Sequence, residues 1–275
     1  MKRSQLILIV LGLITVVGLY VLPTVVVDNE SKADTVSQEN ESSSVSSTDA
    51  IAMHDAELSP DQRLQINTLK LQIAENSSKE EVKSSTEEIS AIYQELGKYD
   101  SAGYYLSLAA DQQSDMELAE QAGKAYYEAF SFALDPEKVS NTAEQTRKYL
   151  NLVLDKDPTR LDLKTKIAMT YVSSPNPMQG ITMLREVLEQ DPQNQDGLFN
   201  MGLLSMQSGQ YKRAAERFEE LIKYHPNNFQ GQFYLAISYF EAKQNNKAKA
   251  QFEKVKLMTE DEIVLESIES YLNKL

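Results

Sequence analysis

Apolar and small residues recur in a fixed order along the chain, and through the second half that order repeats every 34 residues. Read back from Pro226, it is Met201-Gly202, Ser205, Ala214, Phe218 and Leu221. Read back from Pro192, it is Ile167-Ala168, Tyr171, Gly180, Leu184 and Val187. One period after Pro226 it is Leu235-Ala236, Tyr239, Ala248, Phe252 and Val255, with Glu260 in the proline's place. Pro158 stands one period before Pro192, and another copy lies upstream at Ile89-Ser90, Tyr93, Ala102, Leu106 and Ala109. Spacings of three and four place these residues on one face of a helix. Self-similarity at a fixed period predicts stacked helix pairs, each burying its apolar face only against its neighbours. Gly202, Ala168, Ala236 and Ser90 let the first helix of a pair approach the second closely, and Ala214, Gly180, Ala248 and Ala102 do the same from the other side. Gly97-Lys98-Tyr99 and Gly209-Gln210-Tyr211 read as turns between paired helices, where glycine ends a helix without a Cβ penalty.

This ladder resembles the tetratricopeptide repeat, whose pattern is W-x2-L-G-x2-Y, then A-x3-F, then P over 34 residues. The tryptophan is replaced throughout, by Lys164, Leu198, Gln232 and Thr86. The resemblance implies an all-α helix-turn-helix solenoid, a right-handed superhelix, whose first helices line a concave groove for an extended peptide or a helix. On this chain that face is Thr165, Met169 and Val172, then Phe199, Asn200, Leu203 and Met206, then Phe233, Ile237 and Phe240. Grooves of this family that clamp a terminal carboxylate need lysine, arginine and asparagine there, and only Asn200 matches. What remains is an apolar, aromatic and methionine-rich trough suited to repacking around varied apolar partners. The alternative is that neighbouring helices, or the chain's own last helix, cover it.

The pattern divides the chain into segments. Clear repeats fall at about 83–116, 161–194, 195–228 and 229–262, with a degenerate pair at 117–160. That pair carries about eleven extra residues around 130–141, which either lengthen its first helix or form a loop through Asp135-Pro136. Order is expected to begin at Ser59-Pro60, and a second helix at Ser78. A capping helix over 260–274, opened by a capping box from Thr259 to Glu262, would seal the stack with Val264, Ile268, Tyr271 and Leu275. The solenoid as a whole is expected over 51–275.

Ahead of it, residues 28–50 are serine-rich and acidic, a composition that does not bury enough apolar surface to order itself. Leu6–Val27 is an uncharged apolar run of 22 residues behind Lys2-Arg3. As a helix it would span about 33 Å, the thickness of a hydrocarbon core. The basic pair predicts a short cytoplasmic N-terminus at 1–5, a transmembrane helix at 6–27 and the repeats outside the cytoplasm, periplasmic in a bacterial envelope. A cleaved signal peptide is the competing reading, with Ser31-Lys32-Ala33 as a weak processing site.

Charge and composition narrow the chemistry. Against 27 Lys+Arg stand 41 Asp+Glu, a net charge of −14 that repels phosphate backbones, so a nucleic-acid partner is not expected. No cysteine is present, which removes disulfides, thiolate catalysis and zinc–thiolate sites. The two histidines, His54 and His225, have no carboxylate at metal-ligand spacing, and no glycine-rich loop follows a strand pattern. No catalytic, cofactor or metal residues are therefore expected, and no small-molecule substrate. The expected role is a membrane-anchored scaffold or adaptor that offers its groove to a polypeptide. By resemblance to anchored envelope repeat proteins, the alternatives are a chaperone-like accessory of secretion or cytochrome c maturation, or a permanent subunit of an envelope complex.

Overall fold

The structure is a computed structural model that describes residues 57–75 and 78–275. The expected anchor and linker lie outside the described residues. No helix among the described residues is long and apolar enough to cross a membrane. The described residues form helices joined by short turns, with no strand among them.

The first helix, α1 (Pro60–Ala74), starts where proline costs no hydrogen bond. Ser59 Oγ accepts from the Gln62 N–H at 3.1 Å, and Gln62 Oε1 accepts from the Ser59 N–H at 3.0 Å. Ser78 and Glu81 build the same reciprocal cap on α2 (Lys79–Glu95). After α2 the helices run as α3 (Tyr99–Gln113), α4 (Met116–Phe132), α5 (Pro136–Leu154), α6 (Leu161–Val172) and α7 (Pro177–Gln190). They continue as α8 (Gln195–Gln207), α9 (Tyr211–Tyr224), α10 (Phe229–Glu241), α11 (Asn245–Lys256) and α12 (Glu262–Leu272). From α2 on, even-numbered helices are the first of each pair and odd-numbered helices the second.

Side-chain oxygens open the even helices from α4 onward except α6. Asp115, Asn194, Asn228 and Asp261 each accept from backbone N–H groups of the first turn. The last helix therefore starts one turn-half later than the sequence suggests. Its cap is Asp261, and Thr259 Oγ1 accepts from the Asp261 N–H at 3.1 Å instead of capping the helix itself. The extra residues of the degenerate pair lengthen both of its helices rather than looping out. Helices α4 and α5 have 17 and 19 residues, against 13 and 14 in α8 and α9, and only residues 133–135 join them.

Gly97 and Gly209 take φ values of 70° and 69°, the left-handed region in which a Cβ is strained. One period after Gly209 the same turn is made by Lys243, at φ 60°. At the pair crossings Ala102, Ala214 and Ala248 are fully buried. Gly180 sits tighter still, because a Cβ built on it would lie 2.3 Å from the Ala168 carbonyl oxygen.

The core follows the stack as successive clusters instead of one centre. Ile66, Leu69, Ile89 and Ile92 join α1 to α2, and Leu150, Val153, Leu163 and Ile167 join α5 to α6. The largest cluster runs from Leu198 through Phe218, Phe233 and Phe252 to Val264 and Ile268 on α12. Polar ties also cross between pairs: Lys83 with Glu117, Gln121 with Glu87 at 2.8 Å, and His225 Nε2 with the Gln193 carbonyl at 2.7 Å. His225 thus fastens one inter-pair turn to the next, a structural use of the side chain.

Candidate functional site

Successive first helices present equivalent positions side by side, because their repeats are in register. The expected groove face begins with Thr165, Met169 and Val172 on α6, and the same repeat register places Glu120, Lys124 and Tyr127 beside them on α4. It continues with Phe199, Leu203 and Met206 on α8, then Phe233, Ile237 and Phe240 on α10. The structure gives this stripe three different environments, one on α4, one shared by α6 and α8, and one on α10.

On α4 the positions are ionic. Arg160 donates to both Glu120 oxygens, at 2.8 and 2.7 Å, and Lys124 pairs with Glu120 at 2.6 Å. The Arg160 hydrogen bonds, with those from Lys124, hold the Glu120 carboxyl down at about 2. Arg160 also donates to Asp162, at 3.0 and 2.9 Å, so this end of the stripe is closed by a network. Tyr127 stands beyond it with the Lys166 ammonium 4.4 Å from its ring centroid, and burial pushes its phenol up to about 12. The apolar pattern of the sequence does not single out Tyr127. Its register with Val172, Met206 and Phe240 is the signal that would have found it.

On α6 and α8 the stripe is half-buried. Met169, Val172, Phe199, Leu203 and Met206 all keep part of their surface in solvent. Phe199 is held at one edge by Phe218 and Tyr234, with ring centroids 5.9 and 5.6 Å away. Asn200 spends its amide on its own helix, donating to the Asp196 carbonyl at 2.9 Å. Thr165 is a correction to the sequence reading: it is buried, and its hydroxyl donates to the Leu161 carbonyl at 2.9 Å.

On α10 the stripe belongs to the core. Phe233 and Ile237 are 1% and 5% exposed, too little to touch a ligand. Phe233 packs edge-on against Phe252 at 6.2 Å. Phe240 is half-buried beneath Tyr271 of α12, with ring centroids 5.2 Å apart. Tyr271 also stacks on Phe252 at 5.0 Å. The last helix therefore lies against Phe240 at the end of the face, and Phe233 and Ile237, buried in the core cluster, leave the set of candidate groove residues. What is accessible is a short apolar strip on α6 and α8, bounded by ion pairs on one side and by α12 on the other. Among the described residues no three His, Asp or Glu side chains gather as a metal site would require.

Paired helices stacked in register, close small-residue crossings and a shared first-helix face define an all-α helix-pair repeat solenoid. The particular repeat follows from the comparisons. Residues 165–252 match the family model for the N-terminal tetratricopeptide repeats of the surface lipoprotein assembly modifier. A tetratricopeptide-repeat protein from Parabacteroides merdae is similar over 78% of this chain and 87% of its own, with 17% identity and a TM-score of 0.53. A thermophilic tetratricopeptide-repeat protein of Thermus thermophilus is similar over 69% of this chain and 98% of its own, with 14% identity and a TM-score of 0.51. The MamA protein is similar over 65% and 92%, with 16% identity and a TM-score of 0.46. No curated protein matches the chain. Residues 165–252 thus carry tetratricopeptide repeats, and the described residues have the tetratricopeptide-repeat fold.

Proposed function

We propose that this protein is a non-enzymatic scaffold that holds a polypeptide partner on the apolar strip of α6 and α8, outside the cytoplasm, on an anchor formed by Leu6–Val27. The observation that carries the reading is the partial exposure of Met169, Val172, Phe199, Leu203 and Met206 on adjoining first helices, where Phe233 and Ile237 on α10 are buried. A contiguous apolar strip bordered by charged groups is the usual form of a polypeptide-binding face. Leu6–Val27 has the length and flanking charge of an anchor oriented with its N-terminus inward. The matched family model describes repeats of a modifier of surface lipoprotein assembly, which accords with a polypeptide partner at an envelope.

The test is site-specific photo-crosslinking in the native membrane from Leu203 and, as a control, from Lys249 on the exposed side of α11. The reading expects a defined polypeptide adduct from Leu203 alone. Equal labelling from both positions, or none from Leu203, overturns it. Protease added to intact spheroplasts should cut within residues 28–50, and protection there would reverse the proposed orientation.

A further inference from the structure

A second cleft lies on the side of α8 opposite the Phe199–Leu203–Met206 strip, between α7, α8 and α9, with a volume of about 470 Å³. That volume is in the range of ligand pockets. Its floor is apolar, made by Ile181, Met201 and Leu204, and three arginines line it: Arg185, Arg213 and Arg217. The other arginines of the described chain are committed elsewhere. Arg63 pairs with Glu57, Arg147 donates to Thr170 and stacks on Tyr171, and Arg160 is held by Glu120 and Asp162. In the cleft, Arg217 meets Glu220 at 3.5 Å and Arg213 donates to the Gln210 amide oxygen at 2.6 Å. Arg185 has no ion pair or hydrogen bond among the described residues. Glu216 also lines the cleft, so its excess charge is positive by one in a chain of net charge −14.

The repeat itself shows what is missing. One period later, at the junction of α9, α10 and α11, the position of Arg185 is Glu219, that of Ser205 is Tyr239 and that of Arg213 is Lys247. There the three groups close on one another: the Tyr239 hydroxyl donates to Glu219, and Lys247 pairs with the same oxygen at 3.4 Å. At the α7–α8–α9 junction the carboxylate is replaced by a second cation, and the place is an open cleft. One period earlier the positions of Arg185 and Arg213 are Asn151 and Gln179, so no other junction of this series puts two arginines there.

We infer that this cleft is a binding site for an acidic peptide segment of a partner. A carboxylate side chain enters between Arg185 and Arg213, in the place that Glu219 fills in the next repeat, and a neighbouring apolar side chain lies on Ile181, Met201 and Leu204. The guanidinium fork suits paired hydrogen bonds to a carboxylate, and the apolar floor selects for a hydrophobic neighbour. The site is independent of the strip on α6 and α8.

The test is a fluorescence-anisotropy titration of the full chain with a labelled, end-capped peptide of glutamate pairs separated by leucines. The same peptide with glutamine in place of glutamate is the neutral control. Arg185→Glu should install the ion pair of the following repeat, keep or raise the melting temperature, and weaken binding by about tenfold or more. Arg185→Gln with Arg213→Gln should weaken it similarly, whereas Arg63→Gln and Leu203→Ser should not. Binding should also fall as salt is raised. Unchanged affinity in Arg185→Glu, equal affinity for the glutamine peptide, loss in Leu203→Ser alone, or no binding of the acidic peptide each overturns the assignment.

Discussion

Gly180→Ala sets the repeat pattern against the packing. By pattern the change is harmless, because Ala102, Ala214 and Ala248 occupy the same position in other repeats. By helix propensity it is favourable, by about 1 kcal/mol for a residue inside α7. The crossing of α6 and α7 says otherwise. The new Cβ would lie 2.3 Å from the Ala168 carbonyl oxygen and 2.8 Å from the Val172 nitrogen, both main-chain atoms of the facing helix. A carbon–oxygen approach of about 3.3 Å is the normal limit. The helices must therefore part by about 1 Å, and a gap of that size forfeits about a quarter to a half of each contact's dispersion energy. Ile167, Leu184 and Val187, all fully buried, lose contact together. Overpacking costs about 1–3 kcal/mol, and with main-chain atoms in the way the upper end applies, so after the propensity gain of about 1 kcal/mol we expect a net loss of about 2 kcal/mol. For a domain of this size that is a fall in melting temperature of about 4–8 °C. Circular-dichroism melts and urea titrations of the purified chain measure it, and amide exchange should show lost protection in α6 and α7. Gly202→Ala is the comparator: its Cβ meets the tip of the Phe218 ring at 2.6 Å, a side-chain contact where Gly180 meets main-chain atoms of the facing helix, so its loss should be smaller. A Gly180→Ala protein as stable as the parent would refute the close crossing and the argument built on it.

Lys243→Gly should stabilise the chain by about 0.5–1 kcal/mol in the same melts, because it relieves a left-handed residue where Gly209 serves one repeat earlier. Gly209→Ala should do the reverse although its Cβ would meet nothing within 4 Å, since only the backbone angle opposes it. Phe233→Ser should cost about 3–5 kcal/mol and broaden the melt, whereas Leu203→Ser should cost less than half as much, as burial dictates. Glu120 is held at about 2 when folded, below an unfolded value of about 4.3, so its contribution is complete above the unfolded value and is lost as pH falls towards 2. Titrating urea stability from pH 6 to 2.5 should show a steeper acid loss in the parent than in Glu120→Gln, and parallel curves would contradict the Arg160 network.

Much of this architecture is written in the sequence because a solenoid is local. Each helix pair touches its neighbours in the chain, so the spacing of Ala214, Phe218 and Leu221 carries the contact information directly. The caps at Ser59 and Ser78 and the glycine turns at 97 and 209 are likewise local, set by hydrogen bonds and backbone angles within a few residues. The repeat register, however, treats Phe199 and Phe233 as one position, and they part company in the fold. Phe199 keeps part of its surface in solvent, while Phe233 is buried in the cluster that runs on to α12. Burial of a repeated residue depends on what comes next in the stack, which the residue's own repeat does not encode. The same holds for Gly180, whose tightness comes from the backbone of α6. It holds for Arg185, whose open cleft is visible only beside the closed Glu219–Lys247 pair one repeat later. Periodicity determined the elements and their order. The tertiary structure decided which of the equivalent positions meet protein and which meet water, because packing is fixed by neighbours and neighbours differ along the stack.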